Sequence, residues 1–253
     1  MNIPFRYPEI DRLKSRLDSL RPLPEHTVRT LHEQQVLEWT YHSNAIEGNT
    51  LTLMETKIVL EGITIGGKLL REHFEVISHK EAIDFVEDLV SRQGELSEWL
   101  VKSIHQLVLK NIDIGNAGRY RRENVVIPGA EHVPPDFLKV PEAMEGLLRW
   151  YRAASDKHPV ERAARLHVDF VGIHPFVDGN GRTSRLLMNF ELMRFSFLPV
   201  IIPVEQRLSY YEALDRAHTR GEHEPFIDLV RVLEQGALER YLRVIPGGLD
   251  AAP

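Results

Sequence analysis

Cysteine is absent from the chain. That excludes disulfide frameworks, thiolate zinc sites, iron–sulfur clusters and a cysteine nucleophile together, and it fits a reducing compartment. Long apolar runs are missing too. No stretch nears the roughly 18 consecutive apolar residues of a membrane span, and the most apolar short run, residues 199–204, carries Pro199 and Pro203. The N-terminus, MNIPFRYPEIDRLKSRL, has prolines and acids where a secretory segment would have its apolar core. A basic excess is the third thing lacking. Lys+Arg number 31 against 37 Asp+Glu, a net charge of −6, which argues against coating nucleic acid or anionic membrane. The expectation is a soluble, cytoplasmic protein with neither of those partners.

Hydrophobic residues make up 43% of the 253, enough for a sizeable core. At about 150 residues per domain, this is one large or two small domains. Helical periodicity dominates. Residues 24–46 space Val28, Leu31, Val36 and Trp39 helically, with Gly48 as a stop. Thr52 and Glu55 form a capping-box pattern for a second helix ending near Gly62. A third helix is expected over 71–93, with Phe74, Ile77, Ile83, Val86 and Val90 inward, and Ser97 caps a fourth. Others are expected over 141–154, 159–173, 181–194, 209–219 and 225–241, followed by a frayed tail, IPGGLDAAP. The pattern fails between 113 and 137. There GRYRRENVVIPGAEHVPP, with a β-prone patch at 125–127, reads as a hairpin flap.

Residues 174–185 read HPFVDGNGRTSR: a loop with two glycines, then a helix start. Backbone N–H groups freed by Gly179 and Gly181 can converge on an anion, and the helix N-terminus adds partial positive charge. Arg182 and Arg185, three apart, share a helix face and can grip one polyphosphate. Asp178 is a hard oxygen ligand suited to Mg²⁺ that stays bound to phosphate and water. His174, with an ordinary pKa near 6.5, suits a general base. Each part has a plainer reading: a histidine that only hydrogen-bonds, a turn, a solvated arginine face. Their conjunction is what points to a phosphate site. A calcium loop starting at Asp178 would need Gly and Glu where the chain has Thr183 and Asn189. That reading fails.

HPFVDGNGRTSR resembles the Fic (Fido) signature, HxFx(D/E)GNGRxxR, at every specified position. GRYRREN, HPVERAARLHVDFVGIHPF, SRLLMN and QRLSYYEALDRAH extend the similarity over roughly 97–235. The resemblance implies an all-α, Fic-type helical domain with a short β-hairpin flap, preceded by an N-terminal helical region. It implies transfer of AMP from ATP to a hydroxyl side chain of a protein, with Mg²⁺ as cofactor. By resemblance, His174 deprotonates the hydroxyl, Asp178 holds Mg²⁺, and Arg182 and the Gly179–Gly181 loop bind phosphates. Arg185 would take the γ-phosphate. The flap around Ile127, Pro128, Gly129 and Ala130 would clamp nucleotide and align the target by strand pairing. Asn180, Thr183, Ser184, Tyr210 and Tyr211 complete the expected nucleotide site. Where some relatives place an Asn on the base, this chain has His218, which leaves the base preference open.

Upstream, Ser43 to Gly48 spell SNAIEG, which resembles the family's inhibitory pattern, (S/T)xxxE(G/N). Ser43 and Glu47 are i and i+4, so one rigid element can present the carboxylate, and Glu47 would compete with phosphate for Arg185. That order resembles Fic proteins with an N-terminal inhibitory helix. The expected division is residues 1–96 as the inhibitory region, 97–235 as the Fic domain, and 236–253 as helix end and tail. The leading function is an autoinhibited protein adenylyltransferase, also able to remove AMP. The alternatives are a mainly de-AMPylating phosphodiesterase and a noncatalytic nucleotide sensor. Expected partners are ATP, a protein carrying a Ser, Thr or Tyr hydroxyl (itself included), and a second copy in a homodimer. GITIGGKL, residues 62–69, nearly spells a P-loop, but Leu69 stands where Ser or Thr is required.

Overall fold

A computed structural model describes residues 7–248. Ten α-helices account for its order: α1 (Pro8–Ser19), α2 (Glu25–Ile46), α3 (Leu53–Leu60), α4 (Leu70–Ser91), α5 (Glu98–Leu109), α6 (Val140–Ala153), α7 (Pro159–Ile173), α8 (Asn180–Arg194), α9 (Arg207–Arg220) and α10 (Glu224–Val244). Among the described residues there is no strand, so the all-α expectation holds. Helix α8 sits at the centre. It is buried almost all round, from Asn180 to Leu192, as a helix packed on every side must be. Helices α7, α4, α5 and α2 pack against it, and α10 bridges α7 to α1.

Local chemistry sets the helix starts. Thr52 Oγ1 accepts from the Glu55 N–H at 3.2 Å while Glu55 Oε2 accepts from the Thr52 N–H at 2.8 Å, the expected capping box. Ser97 caps α5 through the Leu100 N–H at 3.2 Å. Helix α1 was not expected, although Pro8 opens it and Ile10, Leu13 and Leu17 share its buried face.

Some inward assignments change. Val28 is exposed and Phe74 only half-buried, while α4 turns Glu72, His73, Ser78 and His79 inward. Glu72 explains why a charge belongs there. Its carboxylate accepts from the Thr50 N–H (2.8 Å), the Thr50 hydroxyl (2.6 Å) and the Leu69 N–H (2.8 Å). Asn49 adds bonds to the Glu72 carbonyl and Glu75 Oε2. These fix the turn after α2, and with it Glu47. The tail is also corrected in part: Ile245 is buried, and Arg16 reaches the carbonyls of Gly247 and Gly248. Residues 249–253 of that tail lie outside the described residues. One apolar core joins α1, α2 and α4 to the later helices without a break at residue 96.

Candidate active site

Helix α7 ends on His174, whose φ of 49° and ψ of 59° are left-handed, an uncommon conformation for a residue with a Cβ. The chain turns there into the 175–179 loop, which is pinned twice. Asn180 closes on Phe176, its Oδ1 accepting from the Phe176 N–H at 3.0 Å and its Nδ2 donating to the carbonyl at 2.9 Å. Phe176 stacks on His105 with ring centres 3.5 Å apart. His105 Nδ1 accepts from the Gly118 N–H, so its proton sits on Nε2 and is donated to the Asp178 carbonyl, both at 2.9 Å. Gly179 follows with φ of 77°, where a Cβ would lie 3.3 Å from His105 and from Val108. Only glycine suits both demands.

The charged groups divide between two ends of the loop. Asp178 Oδ1 accepts from the Gly179 N–H at 2.6 Å and Arg182 Nη2 at 3.3 Å, while Oδ2 accepts from Arg71 Nη2 at 2.7 Å. Burial opposes ionisation of Asp178, but Arg182, the Gly179 N–H and Arg71 outweigh it and hold the carboxyl below its ordinary range. Arg182 is 2% exposed, and its Nε and Nη1 make no hydrogen bond. Glu75 Oε1 stands 3.7 Å from Nη1.

At the other end, Arg185 is sequestered by α2. Its Nε donates to Ser43 Oγ at 3.0 Å, and its Nη2 to the Ser43 carbonyl at 2.8 Å and Glu47 Oε1 at 2.7 Å. Nη1 reaches Tyr210 Oη at 3.3 Å. The carboxylate fills space that Gly181 leaves open: a Cβ there would stand 2.2 Å from Glu47 Oε1. The two motifs read from the sequence therefore meet. Thr183 and Ser184 are wholly buried, Ser184 Oγ lying on the Gly181 carbonyl and His167 Nε2.

His174 is neutral near pH 7. Burial pushes its pKa down to about 4, with Arg121 and His132 acting the same way; the Val171 carbonyl and Glu47 act against them. Arg121 is a buried clamp. It donates through Nε to the His174 carbonyl at 2.9 Å, and through its other nitrogens to the Glu123 and Pro135 carbonyls, tying the histidine to the base of the flap.

The flap is not the expected hairpin ladder. The Ala130 N–H reaches the Ile127 carbonyl at 3.2 Å across Pro128 and Gly129, whose φ is 81°, a tight turn of the kind Pro-Gly favours. Its arms bond to side chains instead of each other. Asp215 Oδ1 accepts from the Glu131 and His132 N–H groups at 3.0 and 3.2 Å. Asn124 bridges Asp136 and the Phe137 N–H. Pro128, Pro134 and Pro135 lack the donors a ladder needs.

Tyr210 and Tyr211 lie beside the end of α2. Tyr210 Oη lies between Arg185 and His167, and Tyr211 Oη donates to the Ile46 carbonyl at 3.2 Å. His218 Nε2 donates to the Val168 carbonyl at 2.8 Å, which leaves Nδ1 as an acceptor. It packs on Gly172, where a Cβ would stand 3.0 Å away, and beside the His132 ring. A cavity of about 470 Å³ opens next to this pair, walled also by Leu147, Trp150 and Ile173.

The chain is similar to known proteins over most of its length. The Fic/DOC family profile matches residues 95–192. The solved structure of Fic-1 (residues 134–508) from C. elegans is 36% identical and superposes with a TM-score of 0.83, covering 93% of this chain and 71% of that one. The chain belongs to the Fic family. A Fic domain containing signaling protein from Bacteroides thetaiotaomicron superposes with a TM-score of 0.86 at 27% identity, covering 97% of this chain and 99% of that one. The protein adenylyltransferase Fic of Drosophila melanogaster is 36% identical over 238 residues, 92% of this chain and 48% of that protein. The chain thus spans about half the length of the curated relatives it matches. Within this Fic fold, sequence reasoning left Arg71, His105, Arg121 and Asp215 without roles. Arg121 lies inside the quoted GRYRREN and Asp215 inside QRLSYYEALDRAH, so signals were present for both; Arg71 and His105 are isolated residues with none.

Proposed function

We propose that this chain is a protein adenylyltransferase whose phosphate site is held shut by Glu47. The observation that carries the reading is a pair of buried guanidiniums at one helix start. Arg182 has donors to spare, and Arg185 is paired to a carboxylate from another helix. Burying an underpaired cation is costly, and a polyphosphate would satisfy it. His174 takes the proton from a protein hydroxyl; the hydroxyl oxygen bonds to the α-phosphorus of ATP as the bond to pyrophosphate breaks. Arg182 holds the phosphates, and Arg185 takes the γ-phosphate once Glu47 leaves. Asp178 fits a divalent cation: it is ionised and 43% exposed. No cluster of three carboxylates or histidines that could hold a metal occurs among the described residues, so phosphate and water would complete the shell, as Mg²⁺ prefers. Bound there, Mg²⁺ supplies charge neutralisation on the phosphates.

The division of roles at residue 96, inhibitor before and catalysis after, belongs to this proposal, as do cytoplasmic location and a homodimer that light scattering would detect. Glu47→Gly protein incubated with α-labelled ATP, Mg²⁺ and cell lysate should yield proteins bearing AMP on Ser, Thr or Tyr by mass spectrometry. Nucleotide-free products throughout would refute the assignment. A second reading, removal of AMP, is favoured by the position of Glu47, whose carboxylate is one-third exposed beside Arg185 and can accept a proton from attacking water. AMP release from modified target by wild type but not by Glu47→Gly would support it; equal release by both would exclude it.

A further inference from the structure

Asp178 is held from two directions of different character. On Oδ1 the partners are the Gly179 N–H and Arg182, one fixed by the backbone and one 2% exposed. On Oδ2 the partner is Arg71, near the start of α4, at 2.7 Å. Arg71 is 56% exposed, and it stays anchored to the nearly buried Glu75 through Nε at 3.0 Å. Its Nη2 can therefore leave Asp178 by a side-chain rotation, with α4 and the Glu75 contact unchanged. A guanidinium and a hard dication cannot both occupy this oxygen without strong mutual repulsion.

We propose that Arg71 is a removable plug on the cation-binding carboxylate: it occupies Asp178 Oδ2 in this conformation and yields that oxygen to a divalent cation. The inference rests on the reading of Asp178 as the cation ligand. The site then has two independent restraints, Glu47 on Arg185 at the phosphate end and Arg71 on Asp178 at the cation end. Arg71 acts through Asp178 and touches no reacting atom, so it is a positioning residue.

The full chain is titrated with Mn²⁺ alone, free ion being read from its electron paramagnetic resonance signal. ATP binding is then measured by calorimetry at limiting and saturating Mg²⁺ in the Glu47→Gly background. The variants are Arg71→Ala, Asp178→Ala and the double change; alanine at an exposed helix position preserves the fold. Arg71→Ala should lower the Mn²⁺ midpoint by about two- to fivefold, the scale of one exposed ion pair, and lower the Mg²⁺ requirement for ATP by a similar factor. At saturating Mg²⁺ its ATP affinity should be unchanged, and in the Asp178→Ala background it should have no effect. An unchanged midpoint, or a shift that persists without Asp178, would overturn the plug. So would weakened ATP binding at saturating Mg²⁺, which would make Arg71 a phosphate ligand. Tighter Mn²⁺ binding without ATP binding by any variant would uphold the plug while refuting the nucleotide reading.

Discussion

In the proposed mechanism His174 must be unprotonated when it meets its substrate, and burial secures this by pushing its pKa down to about 4. Transfer should stay level as pH falls from 7 to about 5 and decline as the imidazole protonates through about 4. An acid limb at the ordinary histidine value near 6.5 would contradict this. His174→Ala should cut transfer by roughly 10²–10⁴-fold while calorimetry shows ATP binding intact, because Arg182 and Asp178 are untouched. Binding lost together with turnover would mean the histidine supports the loop instead. At this scale the sequence was readable where a contiguous motif carried the chemistry: the pairing of Glu47 with Arg185, 138 residues apart, was implied by the resemblance of SNAIEG and HPFVDGNGRTSR to two family motifs, and the opposite charges agree with it. Arg121 and Arg71 reach their partners across 53 and 107 residues. No local pattern encodes such pairings.

Between elements, the decisive contact is the end of α2 laid against the start of α8. The turn after α2 is held by Glu72, whose hydrogen bonds from Thr50 and Leu69 keep its carboxyl below the ordinary range despite burial. At its return the flap is held by Asp215 on the Glu131 and His132 N–H groups and by His132 Nε2 on the Gly172 carbonyl at 2.8 Å. Asp215→Ala should leave the melting temperature nearly unchanged but speed proteolytic cutting within 125–133, followed by mass spectrometry of the fragments. Unchanged cutting would show that Arg121, Asn124 and the His132 contact suffice. Most helices were legible from caps and periodicity because those signals are local. The flap was not: valine-rich composition promised strands, but prolines and side-chain acceptors took over its backbone groups. Helix α1 had a legible apolar stripe that the proline-rich start obscured.

Across the molecule, one core binds α2 to α7 and α8, so the boundary expected at residue 96 leaves no gap in packing. Burial of Trp39, Ile83 and Val86 with the α7–α8 core depends on tertiary packing, which motif spacing does not encode. The same core buries Glu234, which accepts from the Leu198 N–H at 3.1 Å while its Oε2 has no hydrogen bond. Desolvation pushes its pKa up to about 8, above the unfolded value near 4.3. Between those values the folded chain holds a proton that the unfolded chain releases, so stability falls as pH rises from about 4 to about 8. Glu234→Gln should flatten that fall in thermal melts, each 1 kcal/mol being worth roughly 2–4 °C for a chain of this size. Parallel melting curves for the two proteins from pH 5 to pH 8 would mean that Glu234 is ionised when buried.

Labelling of protein by α-labelled ATP, compared between wild type and Glu47→Gly over a range of ATP concentrations, tests the restraint most directly. The charge-assisted bond to Arg185 contributes on the order of 1.5–3 kcal/mol, so its removal should raise labelling by about one to two decades. Arg185→Ala in the Glu47→Gly background should bring labelling back down. Equal labelling by wild type and Glu47→Gly at every ATP concentration would contradict the restraint.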